Sequence, residues 1–275
     1  MKHRIDFERA AIVLTDAAVC AGAAIMRHYR EGIEVALKAD QSPVTLADRD
    51  SEVILKAALA DLAPEIPIVA EESAGDCSAP LGQCFFLVDP LDGTKEFIQK
   101  RSDFTVNVAL IDAGRPCFGL VYAPAKNLLA LTKGELAVEA SVAPSEAGAD
   151  FEKLDIRPIR TRQPKLEELT AVVSRSHFND ATERFCTEHS VASRVDGGSS
   201  LKFLLLARGD ADVYPRFGPT MEWDTAAGQA VLEAAGGIVF DPEGGILRYG
   251  KTDKGLRNSG FVAWGQPPHS APNAA

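Results

Sequence analysis

The stretch FFLVDPLDGTKEF, Phe85 to Phe97, constrains this chain more than any other. An apolar run that stops on Asp89, passes Pro90 and reaches Asp92 before a glycine reads as a buried strand, a tight turn and a helix opened by Thr94 over KEFIQK. A strand of that kind delivers two carboxylates at its end. Hard divalent cations such as magnesium take oxygen ligands, and a metal pair about 4 Å apart needs several shared carboxylates to offset its charge. The DPLDG turn can fold Asp89, Asp92 and the intervening Leu91 carbonyl toward one ion. Gly93 allows close backbone approach, and the amides at the helix start can cradle a phosphate.

Two more acidic positions close apolar elements. The short strand IPIVA runs straight into Glu71 and Glu72, and Asp224 sits in the first turn of the helix WDTAAGQAVLEAA. Taken singly, Asp224 is an acid favoured by a helix dipole and Glu71-Glu72 a solvated loop. Three acidic clusters at element ends, one of them inside an oily strand-turn-helix, point together to a metal site.

With 275 residues, 46% of them hydrophobic, the chain can bury a sizeable core as one large domain or two closely packed ones. A formal net charge of −10 argues against a nucleic acid polymer as partner, and it requires any phosphate-bearing ligand to be held by local cations or metal ions. The cysteines Cys20, Cys77, Cys84, Cys117 and Cys186 show no C-x-x-C spacing and read as buried reduced thiols, which fits a cytoplasmic home. The N-terminal stretch superficially suggests a signal peptide, but Asp6, Glu8 and Asp16 interrupt it. Ala10, Val13, Leu14, Ala17, Ala21, Ala24 and Ile25 instead recur at helical spacing, as in an amphipathic helix. No other stretch reaches the ~18 apolar residues of a membrane span.

Along the chain, SPVTLADRD opens a second helix, with Thr45 and Asp48 in capping-box spacing, that runs to about Leu62. TVNVALI, CFGLVYA and LLALT read as antiparallel strands joined by short turns. Residues 134–160 read as a loop, the expected junction between an N-terminal α+β half, 1–155, and a C-terminal α/β half, 156–275, in which strands and helices alternate. The tail QPPHSAPNAA is expected to be disordered. GILRYGKT, Gly245 to Thr252, satisfies the spacing of a nucleotide-triphosphate loop, but its bulky interior and lack of a following helix reject that role. His3, His28 and His189 show no ligand spacing and read as surface or structural.

VAEES, VDPLDGTKEF and WDTAAGQAVLEAAGG, in this order and at these separations, resemble the signatures of the lithium-sensitive, magnesium-dependent phosphatases that include inositol monophosphatase and fructose-1,6-bisphosphatase. The resemblance runs from about Val19 to Gly260. It implies an α/β (α+β) chain with the layered α-β-α-β-α sugar-phosphatase fold. It also implies that Glu71, Asp89, the Leu91 carbonyl, Asp92 and Asp224 hold two or three magnesium ions. Gly93 and Thr94 would contact the scissile phosphate, Asp48 would pair with the Thr94 hydroxyl, and a water activated beside Glu71 and Thr94 would attack phosphorus in line.

Within that superfamily DGTKEF, KADQSPVT, VSRSH, GSSLKF and YPRFGPT resemble the CysQ-type 3'(2'),5'-bisphosphate nucleotidase branch, where inositol monophosphatases usually carry DGTTNF. That branch holds its nucleotide with residues matched here by His177, Ser199, Lys202 and Arg216, with Asp224 also bordering the substrate. The implied reaction is hydrolysis of adenosine 3',5'-bisphosphate to AMP and phosphate, with 3'-phosphoadenylyl sulfate as a related substrate, clearing a by-product of sulfur assimilation. An inositol monophosphatase-like or broad sugar phosphatase is the alternative enzyme. A non-catalytic nucleotide or metal sensor is a different class, disfavoured because Glu71, Asp92 and Thr94 are all present. A monomer and a homodimer both remain open, and the resemblance alone admits a peripheral inner-membrane association.

Overall fold

A computed structural model describes residues 5–32, 35–37, 43–75, 81–165, 167–175 and 177–267. His3, Cys77, Ser176, residues 38–42 of KADQSPVT and all of the tail beyond Pro267 lie outside the described residues. Helix α1 (Phe7–Glu31) starts on Asp6, whose carboxylate accepts from the backbone of Glu8 and Arg9. A two-stranded pair, β1 (Val35–Leu37) and β2 (Pro43–Thr45), leads into α2 (Leu46–Leu62), which opens on the expected capping box of Thr45 and Asp48. There follow β3 (Ile68–Ala70), β4 (Cys84–Asp92), α3 (Thr94–Ile98), β5 (Thr105–Asp112), β6 (Arg115–Ala123), β7 (Leu128–Lys133), β8 (Leu136–Ser141) and β9 (Arg157–Pro158). The remainder comprises β10 (Thr170–Ser174), α4 (Asp180–Glu188), β11 (Ser193–Gly197), α5 (Leu201–Ala207), β12 (Val213–Arg216), β13 (Thr220–Met221), α6 (Ala226–Ala234), β14 (Ile238–Phe240), β15 (Arg257–Asn258) and β16 (Phe261–Trp264).

Strands β3 to β9 make a seven-stranded sheet in sequence order, with β3 parallel to β4 and every other neighbour antiparallel. Its two faces explain the oily run of β4. Phe86 and Val88 point into the core beneath α1 and α2, whereas Phe85 and Leu87 point into the core shared with α5 and α6. A strand covered on both sides needs apolar residues at every position, so the usual alternation disappears. The second sheet, in order β11-β10-β12-β16-β14, is mixed. Val172, Tyr214, Val239 and Phe261 join the α5–α6 core, and Ala171, Val173 and Val213 pack with Phe185 and Cys186 of α4. The layers therefore run α1/α2, first sheet, α5/α6, second sheet, α4, the α-β-α-β-α stack expected.

Two sequence expectations change, and one strand was not foreseen. Residues 134–160 are not one loop, because β8 and β9 complete the first sheet and carry it past residue 155. Helix α6, placed by sequence in the C-terminal half, packs directly on the first sheet: a Cβ at Gly119 of β6 would lie 2.5 Å from the Ala227 carbonyl oxygen. The short strand β16, unassigned from sequence, is central to the second sheet. Helix α1 is long and apolar enough to cross a membrane by length and composition, yet 61% of its most apolar window is buried inside the protein, as befits a core helix. Val13 lies only half-buried at its edge.

Candidate active site

The parallel pairing of β3 with β4 sets Ala70 beside Val88, so the residues that follow, Glu71 and Asp89, emerge side by side. Asp224 reaches the same point from the turn before α6. One carboxylate oxygen from each of Glu71, Asp89 and Asp224 lies within 4.8 Å of the other two. Asp89 is 1% exposed and accepts from the Leu91 amide at 3.0 Å. Burial first, then the charges of Glu71, Asp92 and Asp224, pushes the Asp89 carboxyl well above its ordinary range. Asp224 is raised in the same way, by burial and then by Asp92 and Glu71. An all-oxygen cluster whose negative charges oppose one another inside the protein fits a hard divalent cation.

Asp92 adjoins this cluster, its Oδ2 accepting from Ser199 Oγ at 2.7 Å and lying 3.5 Å from Asn107 Nδ2. Gly93 adopts φ +92, and an added Cβ would meet the Asp103 carbonyl oxygen at 2.9 Å, so glycine is required on both counts. Thr94 Oγ1 sits 3.2 Å from both Asp48 Oδ1 and the Leu91 carbonyl oxygen. Asp48 thus serves twice, because its Oδ2 accepts from the Thr45 amide and hydroxyl at 2.7 Å in the capping box.

Helix α2 contributes two more groups that sequence reasoning missed. Ser51 Oγ donates to the Pro90 carbonyl at 2.8 Å, and Glu52 Oε2 accepts from the Glu72 amide at 2.8 Å. Residues 48, 51 and 52 share one helical face, so α2 fixes the DPLDG turn, the Glu71 turn and Thr94 together. Their signal was present in the sequence as polar residues on the face that should be buried.

One cleft gathers cations beside the carboxylates. This cleft of about 220 Å³ is lined by the acids Glu71, Asp92, Glu96 and Asp224 together with Lys95, His177, Lys202 and Arg216. Lys202 is 6% exposed and donates to the Ser199 carbonyl at 2.6 Å. Its burial, with Arg216 acting in the same sense and Asp92 opposing, lowers the ammonium to about 8. Arg216 is 8% exposed and donates to the Pro219 carbonyl at 3.3 Å, with its Nε unpartnered. Partial desolvation, then the charges of Arg216, Lys95 and Lys202, holds His177 at about 4, neutral at physiological pH. Ser199 stands at φ +52, a rare backbone state for a residue with a side chain, and its hydroxyl bonds Asp92 and Thr105. Of the twelve residues singled out by sequence, nine line this cleft, and Asp48, Asp89 and Leu91 touch it from behind through Thr94 and the carboxylate cluster. Lys95 is the further cation there; its signal was the KE that distinguishes DGTKEF from DGTTNF.

The family model described as the inositol monophosphatase family matches residues 6–267. The chain belongs to that family and is a phosphatase of it. Among its relatives, it is 42% identical over 247 residues to the 3'(2'),5'-bisphosphate nucleotidase CysQ of Shigella flexneri, covering 88% of this chain and 94% of that one. The crystal structure of CysQ from Bacteroides thetaiotaomicron, a bacterial member of the family, superposes with a TM-score of 0.77 at 36% identity, covering 95% of this chain and 99% of that one. An inositol monophosphatase from Zymomonas mobilis follows the same fold, with a TM-score of 0.71 at 26% identity over 96% of this chain and 95% of that one.

Proposed function

We propose that the chain is a magnesium-dependent 3'(2'),5'-bisphosphate nucleotidase that hydrolyses the 3'-phosphate of adenosine 3',5'-bisphosphate, giving AMP and phosphate, and that also accepts 3'-phosphoadenylyl sulfate. The observation that carries this reading is the composition of one cleft: clustered carboxylates share it with Lys95, Lys202 and Arg216 in a chain of net charge −10. A ligand with one phosphate to be cleaved and a second to be gripped matches that composition. Similarity to the CysQ nucleotidases supports the choice among phosphatases, and such a substrate pool would place the enzyme in the cytoplasm.

In this reading Glu71, Asp89, Asp92, Asp224 and the Leu91 carbonyl would hold two or three magnesium ions, which supply Lewis-acid polarisation of the phosphoryl oxygens and of water. Thr94, oriented by Asp48, holds the attacking water, and the Glu71 carboxylate accepts its proton. Water oxygen bonds to phosphorus as the bond to the ribose 3'-oxygen breaks, that oxygen leaving with the bonding pair and taking a proton from solvent to become the 3'-hydroxyl of AMP, so no covalent phosphoenzyme forms. Lys202 and Arg216 grip the phosphate that is not cleaved, and neutral His177 meets the nucleoside at the rim. A phosphate-release panel with adenosine 3',5'-bisphosphate, inositol 1-phosphate and fructose 1,6-bisphosphate, with and without magnesium, tests the proposal. Magnesium-dependent release with the adenosine bisphosphate preferred is expected; a preference for inositol 1-phosphate would overturn the substrate assignment.

A further inference from the structure

The loop Gly245–Thr252, whose spacing imitates a phosphate loop, does bind an anion, but the anion belongs to the protein. The amides of Gly250 and Lys251 donate to Glu222 Oε2 and Oε1 at 2.7 and 3.0 Å, and Lys251 Nζ lies 2.9 Å from Oε1. Gly250 adopts φ +88 at this point. Glu222 is wholly buried, at 0% exposure, and these three donors stand where water would otherwise solvate its carboxylate. A buried charge of this kind is a costly way to hold a loop, since an apolar pair of similar volume often serves stability as well or better. Its position suggests what it does instead.

Glu222 stands two residues before Asp224, in a turn tied down on both sides. Met221 pairs with Arg257 between β13 and β15, and the Glu222 amide donates to the Leu256 carbonyl at 2.9 Å. The Glu222 carbonyl accepts from the amides of Thr225 and Ala226 at 3.2 and 3.1 Å, beginning α6. Within the turn, Asp224 Oδ2 accepts from the Met221 amide at 2.9 Å. Glu71, Asp89 and Asp92 repel Asp224, so an unrestrained turn would swing its carboxylate away from the cluster.

We infer that Glu222 is a positioning residue, pinned in the Gly250–Lys251 amide cradle, that holds Asp224 in the carboxylate cluster and so preorganises the metal site. The inference rests on the metal-site reading above. Its consequence is that metal affinity depends on a carboxylate that touches no metal, while Lys202 and Arg216 do not depend on it.

The test compares wild type, Glu222→Gln and Lys251→Met by titrating manganese into the metal-free protein and following free Mn²⁺ by electron paramagnetic resonance. The Michaelis constant for adenosine 3',5'-bisphosphate is measured at saturating magnesium. Glu222→Gln turns an amide NH₂ against at least the Gly250 amide donor, so Mn²⁺ binding should weaken at least tenfold, with a smaller loss in the same direction for Lys251→Met. The Michaelis constant at saturating metal should stay within about twofold, a split that general loosening of the fold would not produce. Should Glu222→Gln fail to fold, Lys251→Met carries the comparison alone, since it leaves Glu222 and both amides in place. Unchanged Mn²⁺ binding in a folded variant would overturn the inference while leaving the metal site standing. Absence of Mn²⁺ binding by the wild type would overturn both.

Discussion

Lys202 shows how one buried side chain makes a testable link between charge and substrate. Its ammonium is lowered to about 8 mainly by burial, so it is charged below that pH and neutral above it. A charged Lys202 attracts the uncleaved phosphate, and a neutral one does not. The value of kcat/KM for adenosine 3',5'-bisphosphate reports the free enzyme, and should therefore fall as pH rises through about 8. The fall should be absent in Lys202→Met, and persistence of the same alkaline limb in that variant would remove Lys202 from phosphate recognition. Lys202 and Arg216 were legible only through resemblance, because nothing in GSSLKF or YPRFG alone separates a buried cation from a surface one. Glu71, Asp89, Asp92 and Asp224 were legible from chemistry, since each ends an apolar element. Glu222 was not, because an acid beside Trp223 gives no sign of the distant Gly250–Lys251 cradle that encloses it.

Elements bring these residues together by close crossings, and one of the tight ones is that of α6 on the first sheet. An alanine at Gly119 would place its Cβ 2.5 Å from the Ala227 carbonyl oxygen and 2.6 Å from the Ala230 Cβ. Gly119→Ala should destabilise the fold by about 1–3 kcal/mol, the usual cost of overpacking, and urea unfolding followed by circular dichroism measures it. A neutral result would mean that α6 does not cross the first sheet as closely as described. Elements with strong local signals were readable: the capping box placed α2, and the apolar run placed β4. The strand β8 was not, because LAVEAS is short and rich in small residues, so its apolar alternation is weak. The strand β16 escaped for a different reason, since its pairing with β12 and β14 is long-range and no hairpin turn announces it.

At the scale of the molecule, the fold of a net-negative chain gathers carboxylates and cations into one cleft. The first sheet and α2 supply Glu71, Asp89, Asp92 and the Thr94–Asp48 pair, while the α5–α6 layer and the second sheet supply Asp224, Lys202 and Arg216. Because α5 and α6 share one core with both sheets, these contributions are held together without a hinge between separate cores. The central claim is that Glu71, Asp89 and Asp224, drawn from three distant stretches of sequence, form a divalent-metal site. Its most direct test is anomalous scattering from crystals soaked in manganese. The account predicts density within about 2.0–2.6 Å of oxygens from Glu71, Asp89 and Asp224; strong peaks elsewhere on a well-ordered molecule, with none among these three carboxylates, would contradict it.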